Sequence, residues 1–215
     1  MNYLVTRENW GGDTGFAVRL LEHVGYSALA VFLALLVAAP VGIAIGHSRR
    51  GANTVLSIAG ALRALPALGL LTWLAISLPR GATLPLIPAT IVLVMLAIAP
   101  LLAGFVAGFD SVSRQVVHSA RAAGYSEAQI LTRVELPLAA PVIIGGLRSC
   151  VVQVIATATV VSFIGLGGLG RYLIDGLAVQ DYPRMVAGAL LVTALALVTD
   201  LTLAGVQRFL APRSH

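Results

Sequence analysis

The interval His118–Pro137 reads H-S-A-R-A-A-G-Y-S-E-A-Q-I-L-T-R-V-E-L-P and is the longest polar stretch between apolar segments of the chain. It carries its own helix signals. Residues 111–123 suit a short amphipathic helix, with Asp110 or Ser111 as N-cap and Val112, Val116 and Ala120 on one face. Gly124 falls where a left-handed residue would end that helix. Ser126, followed three residues later by Gln129, predicts a capping box for a second helix, with Glu127 in its favourable first turn. Leu136-Pro137 is expected to close the unit, because proline cannot donate to a continuing helix but suits the start of the next one. The interval therefore predicts a capped helix–turn–helix, an element that needs something to dock against.

Outward from this hairpin the chain is apolar. Of its 215 residues 58% are hydrophobic and 11% are charged, with a mean hydropathy of +0.93. A soluble domain carries about 25% charged residues, so the composition is that of a membrane protein. A net charge of +5 and a pI near 10.1 would point to nucleic acid in a soluble protein. Here all 14 Lys/Arg positions are arginines and most flank apolar segments, as membrane topology requires, and no nucleic-acid partner is expected. Cys150 is the single cysteine, which excludes an intrachain disulfide, and the four histidines lack metal-ligand spacing. Neither a metal nor a bound cofactor is expected.

Five apolar stretches are long enough for about 30 Å of hydrocarbon, at residues 24–46, 55–78, 86–108, 141–164 and 185–206. Residues 1–23 form an extracytoplasmic segment in which Trp10, Phe16, Leu20 and Leu21 suit an interfacial helix. It lacks the pattern of a cleaved signal, so the N-terminus is expected to be retained. Gly42-x-x-x-Gly46 and Gly104-x-x-x-Gly108 offer faces for close helix packing; the first pair alternatively relieves a helix bent at Pro40. Pro66 is expected to kink the second span. Arg63 lies inside that span, Arg148 inside the fourth and Asp200 inside the last; Asp200 could reach the inner interface, Arg63 or Arg148. Gln153, Thr157 and Ser162 are candidates for lining an internal path, or else for helix–helix hydrogen bonds worth about 0.6–2 kcal/mol each.

Gly165-x-Gly167-x-x-Gly170 formally matches a dinucleotide fingerprint, but no strand precedes it and no βαβ unit surrounds it. These glycines are read instead as a sharp turn at a membrane exit. The loops 47–53 and 110–137 with the C-terminal tail from Arg208 hold seven arginines (Arg49, Arg50, Arg114, Arg121, Arg133, Arg208 and Arg213) against five on the other side (Arg7, Arg19, Arg80, Arg171 and Arg184). That bias predicts an outside N-terminus and a cytoplasmic C-terminus.

The hairpin also resembles the cytoplasmic coupling loop of ATP-binding-cassette (ABC) importer permeases, whose pattern is E-A-A, three residues, G, nine residues, I-x-L-P. Ala120, Gly124, Val134, Leu136 and Pro137 fall in register, while His118 and Ser119 stand where the pattern has Glu and the first Ala. The runs R-A-L-P-A-L-G-L-L from Arg63 and F-I-G-L-G-G-L-G-R-Y-L-I-D-G-L from Phe163 are similar to segments of glycine betaine, choline and other osmoprotectant permeases. The resemblance covers about residues 24–208. It implies an all-α membrane protein of the type I ABC importer transmembrane-domain fold, in the cell membrane. It further implies a cytoplasmic ATPase pair that docks on His118, Ala120, Arg121, Gly124, Val134, Leu136 and Pro137. A second permease subunit and an extracytoplasmic solute-binding protein complete the expected assembly.

The chain carries no G-x-x-x-x-G-K-[ST] phosphate loop, so ATP is expected to be used by the partner and the chain itself is expected to be no enzyme. The solute implied by the resemblance is an osmoprotectant such as glycine betaine or choline. A methionine-type amino-acid importer is the alternative within the class. From another class, an ion-coupled transporter would use Arg63, Arg148 and Asp200 as relay charges, although no internal repeat supports it.

Overall fold

Small residues decide how closely the long helices of this chain approach, and a computed structural model shows where each pair is used. It describes residues 10–12 and 14–210; Arg7, Glu8 and Asp13 and the tail with Arg213 and His215 lie outside these. Every regular element among the described residues is helical. In order they are α1 Phe16–Ser48, α2 Ala52–Arg63, α3 Ala67–Ser77, α4 Leu86–Ser111, α5 Arg114–Ala122 and α6 Glu127–Ile130. A π-helical turn Leu131–Glu135 leads into α7 Leu136–Thr157, followed by a 3-10 turn Val160–Ile164, α8 Gly170–Ala178 and α9 Tyr182–Leu210.

The central helix is α4. On one of its faces a Cβ added to Gly104 would come within 2.7 Å of the Gly146 Cα of α7, and one on Gly108 within 2.6 Å of the Ile143 side chain. One position further round, Phe105 and Phe109 lie over Gly42 and Gly46 of α1. Both four-residue glycine repeats are thus contact faces. Ala30, Ala34 and Ala38 of α1 and Ala97 of α4 are fully buried in the same core, which brings backbones close where lipid offers no hydrophobic drive for association. Large apolar side chains turn outward instead, among them Phe32 and Leu36 on α1 and Leu197 and Leu201 on α9.

These contacts fix the direction of each helix. Because Gly42 meets Phe105 and Gly46 meets Phe109, α1 and α4 run parallel. Gly104 with Gly146 and Gly108 with Ile143 make α4 and α7 antiparallel. Arg148 with Asp200 and Gln207 with the Pro141 carbonyl do the same for α7 and α9. Among the described residues four helical stretches are long and apolar enough to cross a membrane, and the bent α2–α3 pair, taken as one span, makes a fifth. Since α1 and α4 are parallel, the chain between them must return across the same thickness, and α2–α3 is the element that does so.

Three expectations are corrected. The second span is two helices at 77° rather than one kinked helix. Proline disfavours helical backbone at the preceding Leu65, and Pro66 itself has an extended ψ of 109°. Arg63 is the last residue of α2 and lies exposed at this break. Residues 16–23 of the segment read as interfacial are instead the first turns of the spanning helix, because α1 already starts at Phe16. Phe16 is 1% exposed, its ring centroid 4.7 Å from that of Tyr172, so it is anchored in protein and not in the bilayer surface.

The third correction concerns Pro137, which stands at the start of α7 as expected but does not close the hairpin. The helix from Glu127 continues through the π turn into α7, with the Leu136 N–H reaching back to the Leu131 carbonyl. A proline ring clashes with the carbonyl four residues earlier in a regular helix. The wider π turn just before it relieves that clash.

Candidate functional site

The hairpin is built from local bonds. α4 runs on to Ser111, so α5 begins at Arg114 with Ser113 before it, three residues later than the sequence suggested. That shift rotates the apolar face. Val112, Val117 and Ile130 form a small buried cluster with Ala139 of α7, and Ala120 packs on it. Val116 is turned outward, 43% exposed. Gly124 has φ +88°, the Tyr125 N–H donates to the Ala120 carbonyl at 3.2 Å and the Gly124 N–H to that of Arg121 at 3.1 Å. This is a Schellman ending, which a side chain at Gly124 would strain.

The second helix opens with the capping box read from the sequence. The Gln129 N–H donates to Ser126 Oγ at 3.3 Å, and the Ser126 N–H to Gln129 Oε1 at 2.9 Å. Arg121 then locks the two helices together, its Nε 2.7 Å from Glu127 Oε1 and its Nη2 2.8 Å from Oε2. These charge-assisted bonds hold the Glu127 carboxyl below its ordinary pKa and raise that of Arg121.

Two longer-range contacts tie the hairpin to α1. His47, in the last turn of α1, bonds through Nδ1 to Glu135 of the π turn, and its Nε2 lies 3.4 Å from Glu127. Glu135 is 1% exposed, so His47 is what satisfies a buried acid. Just beyond, Arg49 Nη2 donates to the Val112 carbonyl at 3.2 Å and Nη1 pairs with Asp110 at 3.3 Å. Between the end of α1 and α5 lies a hollow of about 410 Å³ lined by His47, Arg49, Arg50, Arg114, His118 and Arg121, among others.

The seven residues read as ATPase contacts therefore divide. His118, Arg121, Gly124 and Pro137 are exposed, whereas Ala120, Val134 and Leu136 are half-buried and build the hairpin itself. The sequence reading passed over His47, Glu135 and Tyr125 and put Val116 on the packed face, whereas Val116 and Tyr125 are the exposed large apolar side chains of the hairpin at 43% and 42%. A glutamate between apolar Val134 and Leu136 was the available signal for a buried acid.

Inside the spans, Gln153 lines a hollow of about 580 Å³ between α7 and α9 with Ser149, Thr193 and Asp200. Its Nε2 also donates to the Leu96 carbonyl at 3.3 Å. Thr157 and Ser162 do not join it. Thr157 Oγ1 donates to the Gln153 carbonyl of its own helix at 2.8 Å, and buried Ser162 donates to the Gly167 carbonyl at 3.1 Å. Asp200 pairs with Arg148, with Nη2 at 2.6 Å from Oδ2, and so links α9 to α7.

The family described as binding-protein-dependent transport system inner membrane component matches residues 30–215. The chain belongs to that family. The permease is 37% identical over 191 residues, 89% of its own length and 86% of the relative's, to the choline transport system permease protein OpuBB of Bacillus subtilis. It is 34% identical to the carnitine transport permease protein OpuCB of Listeria monocytogenes, covering 92% of this chain and 88% of that one. Over 206 residues it is 32% identical to the osmoprotectant import permease protein OsmW of Salmonella typhimurium, covering 94% of each. The fold matches a chain of the MetNI methionine ABC transporter in an inward-facing conformation, with a TM-score of 0.78, 18% identity, and 92% and 96% of the two chains covered. At that identity the match speaks for the fold alone, which is that of a type I ABC importer transmembrane domain. The permease is a multi-pass component of the inner membrane, and membership of this family sets aside the ion-coupled reading.

Proposed function

We propose that this permease imports an osmoprotectant of the quaternary-amine class, such as choline or glycine betaine, by alternating access driven by a separate ATPase pair. The observation that carries the reading is likeness along nine-tenths of the chain to permeases named for choline, carnitine and osmoprotectants. In this reading a second permease copy or homologue completes the pathway, a binding protein delivers the solute outside, and ATP is bound by the partner subunits only. The N-terminus is outside and the C-terminus cytoplasmic, in line with the arginine bias of the loops.

The exposed face of α5 and the turn at Gly124 seat in the ATPase. Val116 and Tyr125 supply apolar contact there, and His118 and Arg121 supply polar contact. ATPase closure then moves α5 and α6 as a unit, and the π turn and the His47–Glu135 contact pass the movement to α7 and α1. Gln153 and Asp200 face the solute path from α7 and α9.

Uptake of radiolabelled choline and glycine betaine into proteoliposomes, with the ATPase and binding protein supplied, tests the reading. ATP-dependent accumulation of either solute is the expected result. A stable ATPase complex that moves neither solute would overturn the solute class, and failure to form any complex would overturn the coupling role of the hairpin.

A further inference from the structure

The hollow between the end of α1 and α5 holds more positive charge than its own acids neutralise. Arg49 is paired with Asp110 and Arg121 with Glu127, while the lining carboxylate of Glu135 is bonded to His47. The side chains of Arg50, Arg114 and His118 also line it, and none of them has an ion-pair or hydrogen-bond partner among the described residues. Two arginines without a counter-ion, one just beyond the end of α1 and one at the start of α5, thus border one volume of about 410 Å³.

The backbone does not cancel them. The last carbonyls of α1 supply about half a negative charge. Arg114 opens α5, whose N-terminus no side chain caps, and that end contributes a partial charge of the opposite sign. Guanidinium groups present planar pairs of donors that match phosphate oxygens two at a time. The hollow also sits beside the last turn of a helix long and apolar enough to cross a membrane, the depth at which the phosphates of a bilayer surface lie.

We propose that this hollow is a phosphate site, in which Arg50 and Arg114 bind a phosphate group carried either by an anionic phospholipid headgroup or by a soluble phosphate compound. It goes beyond the importer reading, since it assigns a ligand that is neither the solute nor the ATPase. Its test reads binding and not uptake, so the two can fail separately.

Native mass spectrometry of the purified permease–ATPase complex, in micelles doped with phosphatidylglycerol or phosphatidylcholine and separately with inorganic pyrophosphate, decides it. Retention of phosphatidylglycerol over phosphatidylcholine is expected to fall roughly tenfold or more in Arg50→Gln/Arg114→Gln. The Arg50→Lys/Arg114→Lys variant, which keeps the charge but not the bidentate fork, should retain an intermediate share and so separates binding from folding. Arginine-dependent pyrophosphate binding without a lipid preference would support the site and assign it to a soluble phosphate. Equal adducts on wild type and the Gln variant, with both ligands, would overturn the proposal. Binding by the permease alone that vanishes on docking of the ATPase would also overturn it, by giving the hollow to acids of that partner.

Discussion

The two ends of the helical bundle are held by different kinds of contact. At the hairpin end, order comes from neighbours in sequence: the Schellman ending at Gly124, the capping box at Ser126 and the Arg121–Glu127 pair six residues apart. At the opposite end, the glycine loop between the 3-10 turn and α8 is held by groups far along the chain. The Gly168 N–H donates to Glu22 at 2.8 Å, the Tyr172 hydroxyl to the Thr14 carbonyl at 2.8 Å, and His23 Nε2 lies 2.9 Å from the Ile155 carbonyl. An element ordered mainly by internal bonds, and tied to α1 by the His47 and Arg49 contacts at its base, can shift as a body, whereas one bonded directly to the start of another helix cannot. The first end is built as a lever and the second as an anchor.

Overfilling the anchor should have the largest effect. A Cβ on Gly170 would collide with the Thr159 carbonyl and come within 2.5 Å of Ser162 Oγ, and backbone cannot step aside as a side-chain tip can. Gly170→Val should cost about 3 kcal/mol or more, read as loss of monodisperse protein after detergent extraction. Ala122→Val, exposed on the hairpin, should stay within about 0.5 kcal/mol. Equal losses from both variants would erase the distinction between the two ends.

Next in size is the contact that joins the lever to the spans. His47→Ala leaves Glu135, 1% exposed, without its partner. The expected cost is about 2–3 kcal/mol, at the low end for a broken buried pair because His47 is partly exposed. Thermal unfolding in detergent measures it. The double variant His47→Ala/Glu135→Ala should recover part of the loss, since no orphaned acid then remains. If the loss in the double variant equals the sum of the singles, the two residues are not acting on each other.

The same contrast explains what was legible in the sequence. The caps of the hairpin follow from residue types at fixed short spacing, so Gly124, Ser126 and Gln129 were readable one by one. The glycine repeats were readable as packing faces, though their partners Phe105 and Phe109 were not, because a groove does not name what fills it. Phe16 reads as an interfacial residue by composition and becomes core only because Tyr172 is brought to it. The His47–Glu135 contact spans 88 residues, so although Glu135 between apolar neighbours signals burial, nothing local names its partner. Pro66 announced a break whose 77° depth depends on the packing of both halves against α4 and its neighbours.

A smaller effect is expected at Gly124, where the open surroundings leave only backbone strain. At φ +88° nothing lies within 4 Å of an added Cβ, so Gly124→Val should cost about 1–2 kcal/mol through its left-handed conformation alone. Membrane insertion should be normal while uptake is lost, because the turn that presents α5 is redirected. Gly124→Asn, which tolerates that conformation, should keep a measurable share of uptake. Unaltered uptake by the Val variant would remove the hairpin from the transport cycle.

The smallest predicted effect is also the sharpest test of locality. Ser126→Ala removes the acceptor for the Gln129 N–H and should cost about 1 kcal/mol, while Ser126→Asp restores an acceptor. If the hairpin is ordered by its own bonds, that loss stays there. Amide exchange within α6 should then accelerate about fivefold, with the melting of the whole bundle almost unchanged, because local opening does not draw on the stability of the spans. If instead the bundle melts earlier and exchange rises equally along α4 and α7, the hairpin is part of the same cooperative unit as the core. A movement of the ATPase against it would then have to strain the spans directly instead of turning a lever set upon them.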